Sequence, residues 1–159
     1  AGGVGHVAVQ IAKARGAYVI GTASAGKHGF LREIGVDEPV DYRSTDVTET
    51  VRDVDVVLDT LGGETSPRSL RMLRPGGILV SILPVGSQEL FDEAERLGVR
   101  AVRMLVDADR AGMRSVAELV ESGTLRATIA GTYPLADAAK AHEQGETGRT
   151  TGKLVLLVD

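Results

Sequence analysis

The 159 residues contain no cysteine and no tryptophan, and their only aromatic side chains are three Tyr and two Phe. Without cysteine, these residues hold no disulfide, no thiolate zinc site and no thiol nucleophile. The formal net charge is −4, from 18 basic and 22 acidic side chains. The basic surplus and stacking rings of a nucleic-acid binder are therefore both missing. No apolar run approaches the ~18 residues of a membrane span, and no basic stretch followed by an apolar one marks a signal peptide. His6, His28 and His142 lack metal-ligand spacing, and each reads as a surface or half-buried imidazole. These absences lead us to expect a cytoplasmic protein with no metal, no nucleic-acid partner and no membrane partner.

What is present is glycine, 20 residues of it, in a chain that is 43% apolar and 25% charged. That balance suits a folded domain able to bury a core. Short β-branched runs alternate with amphipathic, helix-length stretches. Strands are expected at Ala17–Thr22, Glu38–Tyr42, Val54–Thr60, Gly77–Leu83 and Arg100–Val106. Helices are expected at Val4–Arg15, Gly26–Ile34, Thr65–Leu73, Gln88–Leu97 and Ala108–Ser122, with Arg74-Pro75-Gly76-Gly77 as a turn between helix and strand. This alternation implies βαβ crossovers and a parallel sheet covered on both faces. After Gly123 the pattern changes. A strand at Arg126–Tyr133, a helix at Ala136–Gln144 and an apolar strand at Leu154–Val158 do not read as another regular βα unit. A boundary is expected near Ser122–Thr124.

The chain opens Ala1-Gly2-Gly3-Val4-Gly5 and runs straight into an amphipathic helix. Gly2 and Gly5 have the spacing of the second and third glycines of a dinucleotide fingerprint. Glycine there lets the backbone approach a pyrophosphate, which the free N–H groups and the helix dipole then attract. A tight turn with no ligand is the competing reading. After the next strand, Thr22-Ala23-Ser24-Ala25-Gly26-Lys27 offers hydroxyl and ammonium groups where an NAD binder carries an acid. Ser24 and Lys27, with Tyr42 at the end of the following strand, suit a 2′-phosphate. One charge-assisted hydrogen bond from Lys27 is worth about one to two orders of magnitude in affinity. The loops Asp59–Gly63 and Ser81–Gly86 follow strands at the edge where open α/β sheets bind ligands.

The segments AGGVGHVAVQIAKARGAYVIGTAS, EPVDYRSTD, DVVLDTLGGET and LRPGGILVSI together resemble the medium-chain dehydrogenases/reductases. Within that superfamily they are most similar to the zinc-independent, quinone oxidoreductase-like, NADP-dependent branch. Tyr133-Pro134-Leu135-Ala136, His142 and Gly152-Lys153-Leu154-Val155-Leu156 resemble its C-terminal signature. The resemblance implies an α/β fold with a Rossmann-type, doubly wound parallel sheet over residues 1–122, truncated at its N-terminus. Residues 123–159 would return to a catalytic domain outside this chain.

By the same resemblance Gly2, Gly3 and Val4 lie along the pyrophosphate of NADP(H), and Ser24, Lys27 and Tyr42 surround its 2′-phosphate. Thr60 and Leu61 lie near a ribose, and Ile82 and Leu83 near the nicotinamide. No catalytic residue is assigned. The implied activity is hydride transfer to a small electrophilic substrate, a quinone or an α,β-unsaturated carbonyl. An enoyl reductase module of a polyketide or fatty-acid synthase and a non-catalytic dinucleotide sensor are the alternatives. A homodimer through the Arg100–Val106 edge is also expected. A missing first strand would leave a gap in the sheet, and Leu154–Val158 is the apolar segment expected to fill it if the fragment folds alone.

Overall fold

The structure, a computed structural model, describes residues 1–83 and 88–158. In chain order its elements begin α1 (Gly5–Ala14), β1 (Ile20–Ala23), α2 (His28–Glu33), β2 (Glu38–Asp41), α3 (Val47–Thr50) and β3 (Val54–Asp59). They continue α4 (Thr65–Leu70), β4 (Leu73–Ser81), α5 (Gln88–Arg96) and β5 (Arg100–Arg103). The last are α6 (Arg110–Glu121), β6 (Ile129–Pro134), α7 (Ala138–Glu146) and β7 (Lys153–Leu157). These form two compact units, one of Ala1–Asp41 with Asp109–Asp159 and the other of Tyr42–Ala108. Among the described residues no helix is long and apolar enough to cross a membrane.

In the first unit β1 and β2 pair in parallel, Ile20 opposite Glu38 through Ala23 opposite Asp41. Ala23, Leu31 and Val36 are buried beneath Val9, Val19, Phe30 and Ile34. Each large aliphatic chain buried in this way contributes about 1.5–3 kcal/mol. β1 starts three residues later than the alternation suggests, because the end of α1 uses Ala17: its N–H donates to Ala12 O at 3.1 Å. α2 closes in the same way, with Val36 N–H donating to Leu31 O at 2.9 Å. That closure needs Gly35 at φ 99°, where a side chain would be strained and would press on Lys13.

The tail corrects two expectations. β6, α7 and β7 are a regular parallel βαβ crossover, with Thr132 opposite Val155 and Tyr133 opposite Leu156. Pro134 falls on the last residue of β6, where its missing N–H is tolerated. β7 therefore pairs with β6, and Leu154–Val158 does not stand in for a strand beside β1 or β3. Among the described residues β1 bonds to no strand but β2, and β3 to none but β4.

In the second unit β3, β4 and β5 form a parallel sheet in sequence order. Leu70, Leu73, Leu79, Leu90, Ala94 and Val99 make its core, packed by Val54, Val57, Leu97 and Ala101. Arg74-Pro75-Gly76-Gly77 is not a turn between two elements, as expected, but a loop-out inside β4. Val54 faces Leu73 while Val56 faces Ile78, which leaves three extra residues on β4. Gly76, at φ 76°, donates its N–H to Gly98 O at 2.9 Å, so the backbone of the excursion is anchored. The short helix α3 had no periodic signature in the sequence. It forms because Asp46 caps it, accepting the Thr48 N–H at 2.9 Å.

Candidate functional site

The glycine-rich opening lies entirely in the first unit. Gly2 O accepts the His6 N–H at 3.3 Å, and Val4 O accepts from both Val7 and Ala8, so α1 starts at this bend. Among the described residues, the amides of Gly3, Val4 and Gly5 have no acceptor. They are the orphan donors of a helix N-terminus, with the positive end of the helix dipole behind them. A methyl group added at Gly2 or Gly5 would meet nothing within 4 Å, so packing inside the chain does not demand either glycine. At Gly3 a methyl would lie 3.2 Å from Lys153 Cδ, 3.3 Å from Lys153 Nζ and 3.5 Å from Gly152 O. The bend therefore has open space at Gly2 and Gly5 and an ammonium beside Gly3.

His6 is fully buried, not the surface or half-buried imidazole expected. Its Nδ1 lies 2.8 Å from Gly2 O, and its Nε2 accepts the Thr128 N–H at 3.2 Å. The neutral tautomer with the proton on Nδ1 satisfies both. Gln10, one turn on, donates to His6 O and Arg126 O at 2.8 and 3.0 Å and accepts the Arg126 N–H at 2.9 Å. Lys153 N–H donates to Thr128 O at 2.8 Å, and Gly152 N–H to Ala1 O at 3.2 Å. Sequence reasoning noticed Gly152-Lys153 as a signature but did not place it at the glycine loop. Only the pairing of distant segments brings it there.

Ser24 precedes and Lys27 ends the short 3-10 turn Ala25–Lys27 that follows β1, and Lys27 N–H donates to Ser24 O at 2.8 Å. Lys27 Nζ donates to Arg149 O at 2.9 Å. It also donates to Thr150 O at 3.5 Å, so two of the ammonium's three protons face backbone carbonyls. Arg149 lines an open cleft of about 410 Å³ with Gln144, Thr147, Thr150 and Thr151. Nothing in the sequence pattern singled out Arg149.

Tyr42, Thr60, Leu61, Ile82 and Leu83 belong to the second unit. Tyr42 is exposed, with the Arg43 guanidinium 6.0 Å from its ring centroid. The turn after β3 is organised by Asp59, which is 4% exposed. Its Oδ1 accepts the N–H groups of Leu61 and Gly62, both at 2.9 Å, and its Oδ2 accepts the Ser66 hydroxyl. Burial raises the Asp59 pKa, but the Gly62, Ser66 and Leu61 donors outweigh burial and hold the carboxyl below its ordinary value. Ile82 N–H donates to Asp59 O at 3.2 Å, and a methyl at Gly62 would collide with Leu83. Thr60, Leu61, Ile82 and Leu83 are thus neighbours across the ends of β3 and β4. Pro84, Val85 and Gly86 of the second loop lie outside the described residues. Among the described residues no three His, Asp or Glu side chains gather as a metal-ligand group.

Comparison with known proteins gives this geometry a context. The model of a zinc-binding dehydrogenase family matches residues 34–156. A 2-haloacrylate reductase from Burkholderia sp is 34% identical over 176 residues, covering 99% of this chain and 53% of that protein. The structure of a quinone oxidoreductase from Coxiella burnetii matches with a TM-score of 0.94 at 34% identity, over 100% of this chain and 50% of that one. Escherichia coli quinone oxidoreductase complexed with NADPH matches with a TM-score of 0.88 at 30% identity, over 99% and 55%. The chain spans about half the length of these relatives. Its parallel α/β architecture is Rossmann-type, and it belongs to the zinc-binding dehydrogenase family, in the quinone oxidoreductase-like branch of the medium-chain dehydrogenases/reductases.

Proposed function

We propose that this chain is the NADP(H)-binding portion of an oxidoreductase that passes hydride to a quinone or an α,β-unsaturated carbonyl. The observation that carries the reading is the bend at Gly2–Gly5, where three amides have no acceptor among the described residues and Lys153 Nζ would lie 3.3 Å from a methyl on Gly3. Unpaired donors, a helix N-terminus and an ammonium at one bend suit a diphosphate. The open space at Gly2 and Gly5 supports it further, since a ligand that approaches the backbone needs that room. The relative solved with NADPH supports a nicotinamide dinucleotide as that ligand.

In this reading the Gly3, Val4 and Gly5 amides bind the diphosphate, and Lys153 offsets its charge. Ser24 and Lys27 take the 2′-phosphate, because no carboxylate stands at Thr22–Lys27 to repel it. The resemblance assigns Tyr42 to the same phosphate, Thr60 and Leu61 to a ribose, and Ile82 and Leu83 to the nicotinamide. When bound, the reduced nicotinamide supplies the hydride, while the protein binds, orients and excludes water. Residues 123–159 return towards a catalytic domain, and β5 pairs with a second copy to make a homodimer.

Calorimetric titration of the intact protein with NADPH and NADH tests the reading. NADPH is expected to bind at least about tenfold more tightly, the scale of one charge-assisted hydrogen bond. Equal affinities would remove the NADP assignment, and no binding of either would remove the dinucleotide reading.

A further inference from the structure

The buried imidazole of His6 has no part in the fingerprint that drew attention to the glycine loop, yet it begins a series of contacts that leads to Lys153. The contacts run from Gly2 O to His6 Nδ1, from His6 Nε2 to the Thr128 N–H, and from Thr128 O to the Lys153 N–H, and the Lys153 side chain lies where a methyl on Gly3 would sit 3.2 Å from its Cδ. We propose that His6 is a positioning residue that sets the orientation of the Gly2–Gly3 peptide and couples it to Lys153. This rests on the dinucleotide reading above and adds a residue to it.

The argument comes from peptide geometry. In a planar trans peptide the C=O and the following N–H point in opposite directions. His6 draws Gly2 O back toward α1 twice, with Nδ1 at 2.8 Å and its own backbone N–H at 3.3 Å. The Gly3 N–H, in the same peptide plane, therefore points away from the helix, out of the bend. A Gly-Gly peptide has little intrinsic preference between this orientation and the flipped one, since neither residue carries a Cβ to restrict it. The imidazole, with the His6 backbone N–H, supplies that preference. Its complete burial at this point fixes the tautomer, because Nδ1 faces a carbonyl oxygen and Nε2 faces an N–H.

The second nitrogen carries the consequence across the chain. By accepting from Thr128, His6 holds the residue whose carbonyl receives Lys153. The amide that meets the diphosphate and the ammonium that offsets its charge are thus registered against one side chain. Pre-organising donor and cation together reduces the ordering that binding would otherwise require.

The test compares two ligands of the intact protein, NADPH and adenosine 2′-monophosphate, which lacks the diphosphate. His6→Gln places an amide near Nε2 but gives up the donor to Gly2 O. It is expected to weaken NADPH about tenfold while leaving the monophosphate within about twofold. His6→Asn retains a donor near Nδ1 and gives up Thr128, so its selective loss should be smaller, and it serves as the test variant if His6→Gln does not fold. Lys153→Met is expected to cost less affinity for NADPH in the His6→Gln background than in the unsubstituted protein. Equal losses on both ligands, no loss on either, or strict additivity with Lys153→Met would each overturn the proposal. If the unsubstituted protein binds the monophosphate but not NADPH, or binds neither, the dinucleotide reading itself fails, and this proposal fails with it.

Discussion

His6 Nε2 accepts the backbone N–H of Thr128 at 3.2 Å, joining residues 122 positions apart in the chain. One turn further along α1, Gln10 pairs with both backbone groups of Arg126. The helix that starts at the glycine loop thus holds the segment leading into β6 by two polar side chains on one face, spaced i, i+4. That lead-in ends at Thr128, which in turn receives Lys153.

Replacing Gln10 tests this attachment. Gln10→Ala removes two bonds to Arg126 and one to His6 O and is expected to cost about 1–2 kcal/mol in urea unfolding. Gln10→Glu should be no better than alanine, because a carboxylate would face the carbonyl oxygens of Arg126 and His6. Native stability in Gln10→Glu would contradict the assigned bonds.

Gly152 precedes Lys153 at φ 89°, and a methyl there would collide with the Thr128 carbonyl. Gly152→Ala is therefore expected to lose at least about 2 kcal/mol. Gly148 provides the control: at φ 66° with nothing within 4 Å, it isolates the conformational cost, about 1–2 kcal/mol for alanine. Thermal melts of the two variants should rank Gly152→Ala below Gly148→Ala.

Asp59 gives a pH-dependent prediction. Its folded pKa is lowered, so its contribution to stability is complete above the ordinary aspartate value of 3.8. The contribution declines as pH falls through that value toward the lower folded one. Asp59→Asn, which cannot accept from Leu61, Gly62 and Ser66 as an ionised carboxylate does, is expected to cost about 1.5–3 kcal/mol near neutral pH. The stability difference between parent and Asp59→Asn should shrink on titration from about pH 6 to about pH 2. A difference independent of pH would show that Asp59 is not ionised in the fold.

The proposed dimer can be tested at β5, which pairs only with β4 among the described residues. Leu105 and Val106, just beyond it, are 88% and 86% exposed. Sedimentation equilibrium is expected to show a dimer that Leu105→Lys with Val106→Lys converts to monomer. A monomeric parent protein would remove the proposal.

Much of the architecture was legible because its signals are local. Val54–Asp59 reads as a strand from its β-branched run, and the helices expected at Gly26–Ile34 and Gln88–Leu97 are followed by Gly35 and Gly98, both at positive φ. The glycine loop was legible for the same reason: its spacing, and the helix that follows, lie within a dozen residues. Pairing was not legible. An apolar segment such as Leu154–Val158 carries no label for its neighbour, and the α7 crossover set it beside β6.

The same limit applies to the site. Residue types and spacing alone pointed to Gly2 and Gly5 as a phosphate-binding bend and to Ser24 and Lys27 as groups suited to an added anion, while the family resemblance added Gly3 and Val4. Tertiary structure alone decided that Lys153 lies against Gly3, that Arg149 and Lys27 are neighbours, and that His6 is buried with both nitrogens engaged. Each of those contacts joins positions more than a hundred residues apart, except the one from His6 to Gly2. Charge, size and periodicity describe what a side chain can do, but which distant backbone it meets depends on how the whole chain packs.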